Sequence, residues 1–297
     1  MRINSPVPID LARTLSAFRV GGSDPSMRID HSGVWRATRT PEGPATLHVV
    51  PVDGTATFEV TTWGPGADWV AARAARLIGA IDDASGFDPT DRPLRDLHRR
   101  QPGLRFGRSD TIVEALLPTI FEQKVLSVEA HRSWHQFQRV HGEVAPGPSE
   151  LRLRPDPARI AEYGYAEFHQ FGIERRRAET ILRVCRRAST IDRLIERSSL
   201  DAQAALESVS GIGPWTSTSV AQQAFGDPDA VIVGDYHLPN LVAWNLAGEA
   251  RADDARMLEL LEPFRGHRAR VVRLLGAGAP SAPRRGPGRA IRSIAKY

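Results

Sequence analysis

Hydrophobic and polar positions follow two different rhythms along this chain. In roughly the first ninety residues, short runs rich in Val, Thr and aromatic side chains cover 34–40, 46–52 and 55–62, in part with apolar and polar residues alternating. A period of two puts every second side chain on one face of a strand. Turn residues separate the runs: Pro41-Glu42-Gly43-Pro44, then Asp53-Gly54, a strong signal for a tight hairpin. Residues 11–18 precede them and read as a short helix or strand. Over 67–81, Val70, Ala74, Leu77, Ile78 and Ile81 recur at helical spacing. The segment predicts a small antiparallel sheet with a helix packed on one face.

From residue 93 onward strand signals nearly vanish. Ser109 and Asp110 can cap a helix carrying Ile112, Val113, Leu116, Leu117, Ile120 and Phe121. A second helix follows with Val128, Ala130, Trp134, Phe137 and Val140, and the Pro-rich stretch 145–157 reads as a loop. Further helices are expected over 174–188, 201–209, 215–225, 236–246, 253–261 and 267–275. The expected fold class is mainly α with an α+β N-terminal domain (residues 1–92), an all-helical domain (93–278) and a basic tail (279–297).

Composition narrows the partners. Hydrophobic residues make up 41% and charged residues 25% of the 297 positions, the balance of an ordinary globular protein. The formal charge is +4 and the pI about 9.7. The excess is nearly all arginine, since Lys124 and Lys296 are the only lysines. Arginine forms bidentate phosphate contacts and keeps its charge when partly buried, so the balance fits a nucleic-acid partner. A single cysteine, Cys185, excludes an intrachain disulfide and any zinc site or iron–sulfur cluster built from four cysteines. It reads as a small buried apolar residue of a helix. No apolar run approaches the roughly 18 residues of a membrane span, and no signal peptide opens the chain. The expectation is a soluble monomer, cytoplasmic and nucleoid-associated.

Two stretches carry the candidate chemistry. In Leu206-Glu-Ser-Val-Ser210-Gly211-Ile212-Gly213-Pro214-Trp215-Thr216, an apolar helix end runs through two glycines directly into another helix. The glycines permit a tight hairpin with positive φ and leave backbone N–H groups uncovered. Such amides at a helix start can grip a phosphate, with a monovalent cation held by the backbone of Ser210 and Gly213 as a further expectation. Pro214 suits an early helical position. The alternative is an αα-turn that simply uses glycine. The second stretch, Asp229-Ala-Val-Ile-Val-Gly234-Asp235-Tyr236, ends an apolar run at a helix start. Asp235 is placed to cap that helix, and the helix N-terminus would in turn stabilise its charge and fix its direction.

The segment from Ile112 to about Leu275 resembles the helix-hairpin-helix (Gly-Pro-Asp) superfamily of DNA glycosylases, and within it the 3-methyladenine DNA glycosylase II group. Ile120-Phe-Glu-Gln123-Lys124-Val125 is similar to the helix end that abuts DNA in that family. Phe171-Gly172-Ile173 with Arg175-Arg-Arg177 resembles its turn before a basic helix. Gly211-Ile-Gly213-Pro-Trp215-Thr216 matches the hairpin, Val233-Gly234-Asp235-Tyr236 the catalytic turn, and Glu262-Pro-Phe264-Arg265 a later helix signature. The resemblance implies excision of alkylated purines such as 3-methyladenine and 7-methylguanine from double-stranded DNA. A deaminated or oxidised base and a non-catalytic lesion binder remain the alternatives. Asp235 would be the catalytic carboxylate, and Trp215 and Tyr236 would line the base pocket. Ser210, Gly211, Ile212, Gly213, Thr216, Gln123 and Lys124 would contact DNA.

Bifunctional relatives carry a Schiff-base lysine at the second residue after Gly-x-Gly; here that residue is Trp215, so hydrolysis without strand cleavage is implied, with no cofactor. The wedge that fills the gap left by a flipped base is usually apolar or amide-bearing, and the matching position is Lys124. Either its aliphatic stem fills the gap or Gln123 does. Ser219 stands where a second pocket aromatic is expected. His237 could orient a water or lie on the helix surface. His131 and His135 have i, i+4 spacing but no evident third metal ligand. Arg175–Arg177 reads as a solvated helix start or a phosphate contact. The tail, with Arg284, Arg285, Arg289, Arg292 and Lys296, is either solvated or an auxiliary DNA contact.

Overall fold

In the computed structural model, which describes residues 1–54 and 56–283, the N-terminal part is a five-stranded antiparallel sheet. Its strands are β1 (Arg2–Asn4), β2 (Met27–Asp30), β3 (Gly33–Thr40), β4 (Gly43–Asp53) and β5 (Thr57–Trp63), in spatial order β1-β5-β4-β3-β2. All three strand runs read from the sequence are therefore strands, and only residue 55 of the third lies outside the described residues. Helix α1 (Leu11–Ser16) and helix α2 (Ala67–Leu77) complete the layer. Alternation along the strands sends Val34, Leu47, Val49, Phe58 and Val60 into one core with Leu15, Phe18, Val70, Ala74 and Ile78. On the other face Trp35 stacks on His48 and Trp63, with centroids 3.8 and 5.4 Å apart, and Ala37 packs on Ala145, Leu151 and Leu153. Ile81 does not join the helix face assigned to it and is exposed.

The rest is helical: α3 (Arg92–Arg100), α4 (Ile112–Glu122), α5 (Ser127–His141), α6 (Pro157–Ile160), α7 (Ala166–His169), α8 (Arg175–Cys185), α9 (Ala188–Asp192), α10 (Ser199–Glu207), α11 (Pro214–Val220), α12 (Leu238–Ala247), α13 (Asp254–Leu261) and α14 (Arg268–Gly278). One π turn, Ala221–Phe225, prolongs α11. These helices surround two cores. The first is centred on α4, buried on every side from Ile112 to Phe121, and on Trp134, Phe137, Phe168 and Ile181 around it. A helix apolar on nearly every face, with Glu114 and Thr119 its polar exceptions, sits inside a bundle. In the second core, Leu94 and Leu97 of α3 pack with Val242, Met257, Leu261, Val271 and Leu275. Phe87 already belongs to this second core, whereas Ile78 belongs to the sheet. The segment between α11 and α12 leads the chain from one helical lobe to the other.

The start of α4 corrects the capping expectation. Asp110 adopts φ 57° and pairs with Arg73, Arg76 and Arg108 instead of capping. The amides of Ile112 and Val113 are satisfied by Asp192 Oδ1 of α9, at 3.0 and 2.8 Å. A carboxylate eighty residues away cannot be recognised as a cap from local sequence. Among the described residues, no helix is long and apolar enough to cross a membrane. Tail residues Arg284, Arg285, Arg289, Arg292 and Lys296 lie outside the described residues.

Candidate DNA interface and active site

The hairpin joins α10 to α11. Gly211 has φ 97°, and a Cβ there would lie 2.1 Å from Thr180 Oγ1, so this position admits only glycine. Gly213 differs from the expectation: its φ of −120° is ordinary extended backbone, and a Cβ there would meet nothing within 4 Å. Its use is to leave the surface of the loop bare. Ile212 and Thr216 donate their amides to Val209 and Gly213 carbonyls, at 2.9 Å each. Among the described residues, the amides of Gly211, Gly213 and Trp215 have no internal acceptor. Amides left without acceptors at a helix start are available to an anion.

Gln123, the last residue of the α4 end, reaches into the same loop. Its Nε2 donates to Gly211 O at 3.0 Å and to Thr216 Oγ1 at 2.9 Å. Gln123 is thus a strut of the hairpin, and a wedge role for it would cost both bonds. Lys124 beside it is exposed, with φ 59° in the left-handed region. A side chain held at that φ is strained, and the turn carries it outward between α4 and α5. Thr216 and Ile212 are buried, so their side chains shape the hairpin from inside, and their amides, engaged with Gly213 and Val209 carbonyls, are not among those left open for a phosphate.

The carbonyls expected to hold a monovalent cation are engaged. Arg183 Nη1 donates to Ser210 O at 2.5 Å, and Gly213 O accepts the amides of Thr216 and Ser217. A cation there would compete with the Arg183 guanidinium on Ser210 O and with two amides on Gly213 O. Among the described residues, no group of three His, Cys, Asp or Glu could hold a metal. His131 instead meets Glu122 at 3.1 Å, and His135 bonds Val20 O at 2.5 Å.

Asp235 lies on the turn before α12. Its Oδ1 accepts the amides of His237 and Leu238, at 2.7 and 2.9 Å. His237 is the residue formally at the cap position, but the Asp235 carboxylate performs the capping chemistry. Among the described residues, Oδ2 has no partner. Asp235 is partly exposed. Gly234 precedes it at φ 78°, and a Cβ on Gly234 would stand 4.0 Å from Trp215 Cβ. The carboxylate turn and the hairpin helix therefore adjoin, with half-exposed Trp215 beside them. Tyr236 is 78% exposed and edge-on to the exposed His237 ring, so it does not line a closed pocket. Ser219 is buried and bonds Trp215 O at 2.6 Å, which fixes the tryptophan backbone.

Neither a scan against models of protein families nor a search of curated proteins gives a match. Solved structures do. A 3-methyladenine DNA glycosylase from Archaeoglobus fulgidus superposes with TM-score 0.79 at 19% identity, covering 93% of this chain and 97% of its own. An 8-oxoguanine glycosylase/lyase from Clostridium acetobutylicum, in complex with double-stranded DNA containing cytosine opposite 8-oxoG, gives 0.68 at 12%, covering 93% and 96%. A 3-methyladenine DNA glycosylase from Schizosaccharomyces pombe, in complex with abasic DNA, gives 0.54 at 15%, covering 66% and 96%. The chain has the fold of the helix-hairpin-helix DNA glycosylases.

Within this glycosylase fold, several residues that hold the site carry no local sequence signal. Arg177, read as part of a solvated helix start or as a phosphate contact, is buried and donates to Phe121 O at 2.7 Å, bracing the end of α4. Arg175 of the same run is exposed and lies over the Tyr165 ring, 4.5 Å from its centroid. Asp229 accepts from Arg268 Nη2 at 2.6 Å, Arg268 Nε at 2.9 Å and Gly266 N at 2.7 Å, tying the segment that leads to Asp235 onto α14. Burial pushes the Asp229 carboxyl up, but the Arg268 bonds and the amides outweigh it and leave it below the usual carboxylate range. Cys185 is buried, and burial pushes its thiol up to about 12, in keeping with a packing role.

Proposed function

We propose that this chain is a monofunctional DNA glycosylase that hydrolyses the N-glycosidic bond of alkylated purines, such as 3-methyladenine and 7-methylguanine, in double-stranded DNA. The observation that carries the reading is the Asp235 carboxylate. One oxygen is spent on the helix amides and the other is free, next to a hairpin whose Gly211, Gly213 and Trp215 amides lack acceptors. The amides of Gly211, Gly213 and Trp215 take a phosphate, and Arg183, bonded to Ser210 O, adds positive charge. Lys124 fills the gap left by the extruded nucleotide.

An alkylated purine is already cationic, so its departure leaves a neutral base and an oxocarbenium-like sugar. The Asp235 carboxylate stabilises that charge electrostatically, and water adds to C1′ as the bond to nitrogen breaks. Trp215 offers an apolar ring to the base. The same position bears on the chemistry in a second way: tryptophan has no amine for a Schiff base, which favours hydrolysis over the lyase route named for the Clostridium protein. The Archaeoglobus and Schizosaccharomyces likenesses favour an alkylated base, and the Clostridium likeness keeps an oxidised base as the alternative.

The test is base release from methylated duplex DNA by wild type and by Asp235→Asn, with DNA binding followed in parallel. Wild type is expected to release methylpurines without nicking the strand, and the variant to lose release while binding DNA. Binding without release from either protein would overturn the alkylpurine assignment.

A further inference from the structure

Helix α13 opens on two successive aspartates, and they do different work. Asp253 is the cap: its Oδ1 accepts the Arg256 amide at 2.9 Å. Asp254 is not needed there. Its carboxylate reaches across to the turn before α12, where Oδ2 accepts the Gly234 amide at 2.8 Å. Among the described residues, no cation pairs with it, since nearby Arg256 is taken by Glu249 and Glu259 at 2.7 and 2.8 Å. The other oxygen, Oδ1, is buried without a hydrogen-bond partner. A carboxylate with one oxygen buried and unpartnered, and no cation beside it, lowers stability and calls for a compensating use.

The place it touches supplies that use. Gly234 stands immediately before Asp235, at φ 78°. From one side, Asp254 holds the Gly234 amide; from the other, Asp235 Oδ1 holds the amides of His237 and Leu238. The turn is clamped at both ends, and Asp235 Oδ2 is left free in a fixed direction. A second bond ties the same two helices: the Ala252 amide, just before α13, donates to Asn240 Oδ1 of α12 at 3.1 Å. We propose that Asp254 is a positioning residue for Asp235, acting through the Gly234 amide; this rests on the glycosylase reading above.

The hydrogen bond and the charge can be separated. Asp254→Asn keeps an acceptor for the Gly234 amide and removes the charge, whereas Asp254→Ala removes both. Single-turnover base release, DNA affinity, the thermal midpoint and hydrogen exchange at the Gly234 amide are measured for wild type and both variants. Asp254→Ala is expected to exchange faster at Gly234 and to release base roughly ten- to a hundredfold more slowly, the scale of a small misplacement of a reacting group. Its DNA affinity stays near wild type and its thermal midpoint stays at or above it, since a buried unpartnered oxygen is removed. Asp254→Asn keeps wild-type release, affinity and Gly234 exchange. Release by Asp254→Ala at the wild-type rate overturns the proposal. So does an equal loss in Asp254→Asn, which would assign the effect to charge, or a parallel loss of affinity and thermal midpoint, which would make the residue structural. If wild type releases no base from any DNA, the glycosylase reading fails by itself. Gly234 exchange still decides the clamp, with unchanged protection in Asp254→Ala counting against it.

Discussion

At the scale of single residues, the two hairpin glycines look equivalent in sequence and are not. Gly211 combines a left-handed backbone with a wall, Thr180, at the place a Cβ would occupy. Gly213 is extended and open. Gly211→Ala should therefore cost about 1–3 kcal/mol of stability, the range for a non-glycine residue forced into such a conformation. Gly213→Ala should leave the thermal midpoint unchanged and weaken DNA binding, because the added methyl covers amides meant for phosphate. Thermal unfolding and binding titrations on both variants check this; equal loss of stability in the two would refute the distinction. The motif spacing identified the hairpin, because a turn between two helices needs small residues locally. It could not separate the glycines, since that depends on Thr180 of α8, some thirty residues earlier in the chain. Lys124 and Gln123 teach the same point. Their neighbouring places in the motif left both open as the wedge, and only the bonds from Gln123 to Gly211 and Thr216 separate the strut from the exposed side chain.

At the scale of elements, hydrophobic periodicity located most of the longer helices, because a buried face is a local property of a helix. It did not mark α3, whose nine residues bury only Leu94 and Leu97, or the short helices α6, α7 and α9. It failed where an element end is satisfied from a distance. Helix α4 is the clearest case. Local sequence offered Ser109 and Asp110, but Asp192 supplies the acceptor for both of its first amides. Burial pushes the Asp192 carboxyl above its usual range; the Val113 and Ile112 amides pull the other way without cancelling the effect. A folded-state pKa raised above the unfolded value means that this group's contribution is fully present below the unfolded pKa. It is lost as pH rises through the folded one. Asp192→Asn keeps the acceptor without the buried charge, so at neutral pH it should be as stable as wild type or more so. Asp192→Ala should lose about 0.5–2 kcal/mol, as for loss of a helix cap. The advantage of the Asn variant over wild type should shrink as pH falls through the carboxylate range, where wild type becomes protonated. Thermal midpoints of the three proteins across that range provide the check, and an advantage that grows on acidification would reverse the sign.

At the scale of the whole molecule, the sheet layer and the helical lobes are joined by buried charges that periodicity cannot reveal. Arg36 of β3 meets Glu114 of α4 at 2.8 Å, with both side chains 6% exposed. Asp82, just beyond α2, accepts two bonds from Arg270 of α14, at 2.7 and 2.8 Å, with side chains only 3% and 2% exposed. Arg268, two residues earlier, holds Asp229 and with it the segment leading to Asp235. One helix start therefore anchors the sheet layer and the candidate catalytic turn together. Asp82 also faces an excess of positive charge. Burial lowers the pKa of Arg105, and it lowers that of Arg273 to about 10; in both, Asp82 acts against the shift and Arg270 adds to it. Removing this carboxylate leaves Arg270 buried without its counterion, so Asp82→Ala should cost about 3–5 kcal/mol. Replacing both partners, Asp82→Ala with Arg270→Met, removes the stranded charge and should cost less than the sum of the two single substitutions. Denaturant unfolding of the four proteins closes this cycle. A loss under about 1 kcal/mol in Asp82→Ala, the scale of an exposed pair, would mean that the joint between the sheet layer and α14 does not depend on this ion pair.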